Sequence, residues 1–141
     1  NTSDMKDPII DAIRQFSGNC GIAFQLQDDI LGIVGDEKLL GKQVGSDIRE
    51  GKKTTIILKA LKNADANQSK KIITTIGNKN ATTNEINELK ELLIELKGIE
   101  YTKELAENYL NKALPYLDIL PDSKYKGLLK DWANYMIDRK F

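Results

Sequence analysis

The chain of 141 residues is long enough for one domain, and its 21 basic and 21 acidic residues leave no net charge. This balance gives no electrostatic reason to expect nucleic acid or an anionic membrane surface as a partner. The absence of histidine removes the commonest transition-metal ligand, and the single cysteine, Cys20, excludes an internal disulfide. With no apolar run of roughly 18 residues and no signal-peptide pattern, we expect a cytoplasmic protein without a transmembrane segment.

The first predicted element is a helix over residues 8–34. Asp7-Pro8 supplies a start with proline at the first helical position, and Gly35 supplies a stop. On a helical wheel, one stripe about 100° wide holds all but one of the polar residues of its second half. Because the rest of that half is apolar, we expect the helix to be buried on most sides, with Phe24 in the core and the stripe facing an interior cavity. The stripe contains Gly18, Gly21, Gln25, Asp28, Asp29 and Gly32.

Two further helices are predicted before residue 80. Asp47 and Glu50 have the spacing of a capping box, which predicts one helix from about Ile48 to Asn63. The segment 67–75 has the composition of a short helix.

Three helices complete the prediction. Thr82 and Glu85 form another capping-box pattern. This pattern predicts the start of a helix. The helix has an apolar stripe from Ile86 to Leu96 and is predicted to end at Gly98. The next helix ends or bends at Pro115. The last follows residues 121–123, with five side chains expected inward: Leu128, Leu129, Trp132, Met136 and Ile137. No strand pattern or repeat occurs, so the predicted fold class is all-α.

The adjacent carboxylates Asp28 and Asp29 are the most informative residues on the first helix. An Asp-Asp pair alone is usually a solvated helix face, but buried carboxylates are costly unless they are paired or bind a metal. The segment 41–53 brings basic residues and spaced glycines just downstream. Carboxylates and lysines together indicate Mg²⁺ holding a phosphate group. A P-loop is excluded because Ser46 stands where that motif needs glycine and no strand precedes it.

Residues 18–60 resemble a known family. The run Gly21-Ile22-Ala23-Phe24-Gln25-Leu26-Gln27-Asp28-Asp29-Ile30-Leu31-Gly32 is followed by Gly41-Lys42, Gly45-Ser46-Asp47 and Gly51-Lys52-Lys53-Thr54. Together they are similar to the second aspartate-rich region, here residues 24–53, of trans-isoprenyl diphosphate synthases. The amino-acid sequence of this region most resembles that of archaeal geranylgeranyl-type enzymes. The family's usual Asp-Asp-x-x-Asp motif is changed at its last position, which is Gly32.

The resemblance implies the fold, the reaction and the roles of individual residues. The fold is the C-terminal part of an isoprenoid-synthase-type helical bundle over residues 1–141. The reaction is a Mg²⁺-dependent prenyl transfer in which isopentenyl diphosphate condenses with an allylic diphosphate and pyrophosphate leaves. By resemblance, the site residues are Asp28 and Asp29 as metal ligands, Asp47 on a metal-bound water, Gln25 orienting the site, and Lys42 and Lys52 on the diphosphate. Asp47 has the alternative role of a simple helix N-cap.

The chain is about half as long as the family's catalytic domain, and it contains no first aspartate-rich motif. Three hypotheses therefore remain open. The chain is half of a prenyltransferase, inactive alone; or a non-catalytic subunit that binds diphosphate or a partner; or a helical interaction module. Since a mostly apolar helix needs neighbours on several sides, a homo-oligomer is expected. The residues that set product chain length are expected upstream of this sequence.

Overall fold

The computed structural model describes residues 7–35 and 45–139, and every regular element in these two ranges is a helix. The predicted all-α class is therefore confirmed. None of the helices in this part of the chain is long and apolar enough to span a membrane. The helices are α1 (Pro8–Val34), α2 (Ser46–Arg49), α3 (Thr55–Asn63), α4 (Ala66–Thr75), α5 (Thr83–Glu95), α6 (Gly98–Leu117) and α7 (Lys124–Asp138).

The chain forms two compact units. Within the described residues, the first unit comprises 7–25 and 105–139, and the second comprises 26–104. Both α1 and α6 are continuous helices that contribute to each unit.

The ends of α1 lie where the sequence predicts them. Pro8 is the first helical residue, and the carboxylate of Asp7 accepts a hydrogen bond of 2.9 Å from the backbone N–H of Ile9. At the other end, the N–H of Gly35 donates to the carbonyl of Leu31 at 2.8 Å. An acidic cap and a proline at the start, with glycine after the end, thus fix both boundaries.

The prediction that α1 is buried on most sides was made for residues 18–34 and is wrong at Ile22 and Phe24, in the part of the helix that belongs to the first unit. Five large apolar side chains there are between 40% and 55% exposed: Ile9, Ile10, Ile13, Ile22 and Phe24. Phe24, expected in the core, is 53% exposed. The buried side chains of this part recur every three or four residues along one face of the helix; among them are Ala12, Phe16, Cys20 and Ala23. The helix therefore buries one stripe and leaves a second apolar stripe exposed.

The second unit has a continuous apolar core. The end of α1, the turn of α2, the packed helices α3, α4 and α5, and the start of α6 all contribute to it. Its larger members are Ile30, Ile33, Ile48, Ile56, Ile57, Ile72, Ile86, Leu89, Leu92, Leu93, Leu96 and Ile99. The predicted leucine stripe of α5 is thus core. The predicted capping box is also present, because Thr82 accepts from the N–H of Glu85 at 3.2 Å and Glu85 accepts from that of Thr82 at 2.7 Å.

The single helix predicted from Ile48 to Asn63 is instead two helices, α2 and α3. The chain turns between them at Gly51, whose φ of 74° lies in the left-handed region that glycine adopts without strain. Gly77, with φ 77°, approaches it so closely that a Cβ on Gly51 would lie 3.1 Å from the Cα of Gly77. The N–H of Gly77 donates to the carbonyl of Ile48 at 2.8 Å. The helix thus ends in a glycine C-cap, in which the N–H of Lys52 donates to the carbonyl of Asp47 at 3.1 Å, and Gly77 packs against the turn.

Gly98 does not end α5 as predicted. Lys97 adopts the left-handed conformation, with φ 64°, and Gly98 is the first residue of α6. A Cβ on Gly98 would lie 2.5 Å from the carbonyl oxygen of Ile56 and 3.1 Å from its Cγ2. Glycine is thus needed at 98 because α3 passes too close for any side chain.

The first unit contains the rest of α6 and all of α7. Pro115 lies within the last turn of α6, which continues to Leu117. Ser123 caps α7 by accepting from the N–H of Lys126 at 3.2 Å. The prediction for the inward face of α7 is partly wrong. Met136 is buried, but three of the five predicted side chains are 38–54% exposed, and Ala133 is buried instead; the exposed ones are Leu128, Leu129 and Trp132.

Candidate functional site

The site begins with an ion pair between α1 and the turn that follows α2. Asp29 is only 7% exposed, and its Oδ1 lies 2.7 Å from Nζ of Lys52. Lys52 directly follows Gly51, which ends α2 with a positive φ. A buried carboxylate needs a positive partner, and Lys52 supplies one.

Asp47 brings a second carboxylate to the same lysine. Its Oδ2 lies 3.9 Å from Nζ of Lys52, and its side chain is 13% exposed. The alternative that Asp47 is the N-cap of its helix is wrong, and so is the capping box with Glu50. Gly45 holds the cap position with φ 79° and no side-chain hydrogen bond, and Glu50 is the C-cap. The carboxylate of Asp47 is therefore directed to Lys52 and to α1 rather than to its own helix.

The other predicted site residues lie in different surroundings. Asp28 is exposed beside Asp29 on α1, and Gln25 is exposed one turn earlier on the same helix, in the first unit. Lys42 lies outside the described residues. The structure thus brings Asp29, Asp47 and Lys52 into direct contact, with Asp28 adjacent in sequence.

The electrostatics of Lys52 reflect these acidic neighbours. The hydrogen bond with Asp29 is the largest cause that raises the pKa of Lys52, while partial burial lowers it. The negative charges of Asp29, Asp47 and Asp28, in that order, raise the pKa further. The ammonium group is therefore charged at neutral pH and sits in the negative potential of three carboxylates.

A cavity of about 10 Å³ lies under this cluster, lined by Asp47, Lys52 and Thr54 together with the isoleucines Ile33, Ile48, Ile57 and Ile76. Thr54 is 6% exposed, and its hydroxyl oxygen has no hydrogen-bond partner in the described part of the chain. Thr54 stands at the N-cap of α3 without capping it through its side chain. Sequence reasoning missed this buried hydroxyl, although Thr54 belongs to the Gly51–Thr54 run that carries the resemblance.

The donor set suits Mg²⁺ in its chemistry, although it forms no closed cage. Across residues 7–35 and 45–139, no three acidic or thiol side chains are grouped so that they could hold a metal ion by themselves. Mg²⁺ prefers oxygen ligands, keeps several waters, and is commonly bound by one or two carboxylates plus substrate phosphates. Asp28 and Asp29 fit that requirement, with Asp47 close by. The residues present therefore fit a Mg²⁺ site in which the protein supplies one or two carboxylates and a phosphate group supplies further oxygen ligands.

Comparison with known sequences identifies a family. The profile of the family described as Polyprenyl synthetase matches residues 2–93. The short chain isoprenyl diphosphate synthase of Methanocaldococcus jannaschii is 41% identical over 137 residues, which cover 97% of this chain and 41% of the relative. The geranylgeranyl diphosphate synthase of Saccharolobus solfataricus is 38% identical over 136 residues, covering 95% and 41% respectively.

Solved structures agree with this result. Geranylgeranyl pyrophosphate synthetase from Pyrococcus horikoshii superposes with a TM-score of 0.84 at 37% identity, over 96% of this chain and 41% of that one. The Corynebacterium glutamicum geranylgeranyl pyrophosphate synthase, solved with isoprenyl diphosphate and magnesium, gives 0.87 at 29% identity, over 96% and 39%. The chain thus spans about two fifths of the length of these relatives. Since the profile covers well over half of this sequence, the chain belongs to the polyprenyl synthetase family.

Proposed function

We propose that this chain supplies the second aspartate-rich half-site of a prenyl diphosphate synthase. The reaction is the condensation of isopentenyl diphosphate with an allylic diphosphate, with release of pyrophosphate. The observation that carries the proposal is the cluster of Asp29, Asp47 and Lys52, beside Asp28. It lies inside the segment that matches the family profile.

Each residue has a part that follows from its charge and position. Asp28 is exposed, so its carboxylate is available to a divalent cation, and Asp29 supports the same face of α1 from a buried position. Lys52 carries three N–H donors on a flexible stem, which suits it to hold the oxygens of a diphosphate at the edge of the site. Lys42 is proposed as a second lysine on the diphosphate, and Gln25 as an orienting residue.

Mg²⁺, when bound, would offset the negative charge that develops on the departing diphosphate. The protein side chains position the cation and the diphosphate before the diphosphate departs. Asp28 and Asp29 set where the cation lies relative to α1, and Asp47 holds water or Lys52 at the adjacent position. Positive groups placed in advance where charge develops stabilise the transition state more than the ground state.

The short span limits what this chain can do alone. One carboxylate motif is present, whereas the proposed reaction needs cations held between two facing motifs and a site for the second diphosphate. We therefore expect diphosphate binding without chain elongation from the isolated 141 residues. A second candidate is a non-catalytic subunit that binds diphosphate or a partner; the same short span favours it.

The proposal is tested by binding of pyrophosphate to the full 141-residue chain, measured by calorimetry with and without Mg²⁺. We expect binding that requires Mg²⁺ and that weakens by about tenfold or more in Asp28→Asn, since even outer-shell metal partners contribute 10–100-fold. The matched control is Asp131→Asn, which removes an exposed carboxylate from α7. It should bind like the unmodified chain.

Two outcomes separate the candidates. Absence of Mg²⁺-dependent binding would overturn the proposed half-site and favour the helical interaction module. If binding is present, a condensation assay with the N-terminal half of a polyprenyl synthetase supplied in trans separates enzyme from subunit. Product that depends on Asp28 supports the enzyme, and binding without product supports the subunit.

A further inference from the structure

An apolar cavity of about 500 Å³ lies between α3 and α4, which pack against each other within the second unit. Its floor is formed by Ile57 and Ile72, whose side chains are 5% and 0% exposed. Its rim is formed by Leu58 and Ile73, which are 63% and 65% exposed. Two helices thus enclose an apolar space that stays open at the rim.

One end of the cavity carries a positive charge. The turn at Gly51 and Gly77 lines this end, together with the side chain of Lys53. Lys53 is exposed, and it is the only charged residue among the described residues that line the cavity. Across residues 7–35 and 45–139 no ion pair joins it to an acidic side chain, whereas the preceding Lys52 pairs with Asp29. The ammonium group of Lys53 is therefore available to an anionic group at this end of the cavity.

The volume of the cavity decides between two kinds of occupant. The walls, α3 and α4, have 9 and 10 residues, which makes them about 15 Å long at most. A partner helix of that length and about 10 Å in diameter fills about 1,200 Å³, more than twice the volume of the cavity. Sites for small molecules have volumes of about 300–1,000 Å³, with mostly apolar linings and few polar groups. The cavity is thus too small to enclose a helix and has the size of a small-molecule site.

We propose that this cavity binds a single hydrocarbon chain that ends in a carboxylate, as in a long-chain fatty acid. The isoleucine and leucine side chains contact the hydrocarbon, and Lys53 pairs with the carboxylate. A carboxylate has one negative charge, which the one charge of Lys53 matches. A diphosphate has more, and the described lining offers no second cation. This site is separate from the proposed half-site, because neither Asp29 nor Lys52 lines the cavity.

The inference is tested by binding of cis-parinaric acid, a fluorescent fatty acid, to the full 141-residue chain without Mg²⁺ or pyrophosphate. We expect saturable binding of one molecule per chain. Lys53→Met should weaken it by about fivefold, the upper range for an exposed ion pair. The matched control is Lys70→Met, which removes the same charge from an exposed position of α4 outside the cavity. It should bind like the unmodified chain.

Substitutions at the rim test the apolar walls without disturbing the buried floor. Leu58→Glu and Ile73→Glu each remove an apolar contact and bring a negative charge to the rim. Each should weaken binding by about tenfold or more, since burial of such a side chain contributes at least that much. Ile94→Glu is the control, because Ile94 is 53% exposed in α5 and does not line the cavity. Circular dichroism checks that every variant is folded.

Reversal of the charge at position 53 gives a readout that adsorption to an apolar surface does not. The unmodified chain should bind the fatty acid more tightly than a long-chain alkylammonium ion of equal length. Lys53→Glu should reverse that preference, because the apolar walls are unchanged and only the sign of the charge at the end differs.

Three outcomes would overturn the inference. The first is the absence of saturable binding, or equal binding by the unmodified chain, Lys53→Met and the rim variants. The second is tighter binding of a prenyl diphosphate than of the fatty acid in the same assay, which contradicts a site for one negative charge. The third is competition by pyrophosphate with Mg²⁺, which places the fatty acid in the proposed half-site.

The proposed function stands or falls by a separate measurement. Pyrophosphate binding in the presence of Mg²⁺ should be the same in Leu58→Glu as in the unmodified chain. Loss of fatty-acid binding with intact pyrophosphate binding supports two independent sites. Loss of both in Leu58→Glu would contradict that independence.

Discussion

Nζ of Lys52 lies 2.7 Å from Oδ1 of Asp29. The lysine ammonium therefore forms an ion pair with a carboxylate that we propose as a metal ligand. A lysine in that place has two opposite effects on ligands. Its charge repels a second cation, yet it attracts the oxygens of a diphosphate. The balance between those effects can be measured.

Lys52→Met should separate metal binding from diphosphate binding. Loss of the ammonium removes a competing positive charge, so Mn²⁺ alone should bind more tightly. Pyrophosphate in the presence of Mn²⁺ should bind more weakly, because one of its donors is gone. Titration of each ligand by calorimetry checks this, with the exposed Lys124→Met as the matched control. A change of the same sign for both ligands would contradict the assignment.

The pH dependence of the Lys52 ion pair follows from the direction of its shift. The hydrogen bond with Asp29 raises the pKa of Lys52 above 10.5 in the folded chain. Its contribution to stability is therefore fully present below the unfolded value and is lost as pH rises through the folded one. Since the lysine side chain is 39% exposed, we expect a contribution of about 1 kcal/mol or less. In urea unfolding, the stability difference between the unmodified chain and Lys52→Met should stay constant from pH 8 to about pH 10 and should shrink only as pH rises above 10.5.

At the junction between α5 and α6, substitutions at the adjacent positions 97 and 98 should change the free energy of unfolding in opposite directions. Lys97→Gly should stabilise by about 0.5–1 kcal/mol, because glycine adopts a positive φ without strain. Part of that gain is offset by loss of the exposed pair with Glu100, 2.8 Å long. Gly98→Ala should destabilise by about 1–3 kcal/mol, since its Cβ would meet the carbonyl of Ile56.

Urea denaturation with a fixed m-value measures both junction variants. Gly127→Ala in α7 is the control, because no atom lies within 4 Å of its added Cβ. It should gain about 1 kcal/mol from helix propensity alone. Equal gains at 98 and 127 would contradict the close approach of α3 to α6.

Cys20 should report unfolding of α1. Burial raises the pKa of its thiol from 9.0 to about 11, so the folded chain holds little reactive thiolate at pH 8. As pH rises from 9 to 11, the unfolded thiol ionises first, and stability should fall across that window. Below pH 9 the thiol should have no effect. Iodoacetamide labelling and unfolding of Cys20→Ala measure these effects; the variant should lack that part of the pH dependence.

The exposed apolar residues of α1 predict self-association of the isolated chain. Ile10 and Ile13 are 55% and 50% exposed, and large exposed apolar surfaces commonly mark interfaces. Sedimentation equilibrium should show a dimer or larger species that Ile10→Glu shifts toward monomer. Ile73→Glu is the control, because Ile73 is also exposed, at 65%, but lies in α4 of the other unit. A chain that remains monomeric at high concentration would exclude the predicted homo-oligomer.

Local signals predicted much of this fold. Pro8 and Gly35 gave the bounds of α1, and the Thr82–Glu85 spacing gave the start of α5. The same logic would have found the Asp65–Gln68 capping box of α4, whose two bonds are 2.8 Å and 2.9 Å. A long-range contact explains the error at Gly98, because no local pattern reports the approach of Ile56. The missed helix end at Gly51 is a glycine C-cap, which a local pattern can indicate.

Gly51 and Asp47 illustrate such contacts within the site. Gly77 approaches Gly51, and the carboxylate of Asp47 approaches Gly32, in each case across more than a dozen residues. The Asp47–Glu50 spacing of a capping box was therefore misleading. The sequence indicated which residue types form the site, whereas the ion pair between Asp29 and Lys52 was not predicted.

The backbone contact between Gly51 and Gly77 has a consequence for sequence change. Because Lys52 is held in place by main-chain atoms and two glycines, the solvent-facing side of α4 has no part in aligning it. Substitutions at Asn67, Lys70 and Thr74, all exposed, should therefore leave the position of Lys52 unchanged. A fluorophore attached at any of these three positions should leave the turn at Lys52 undisturbed.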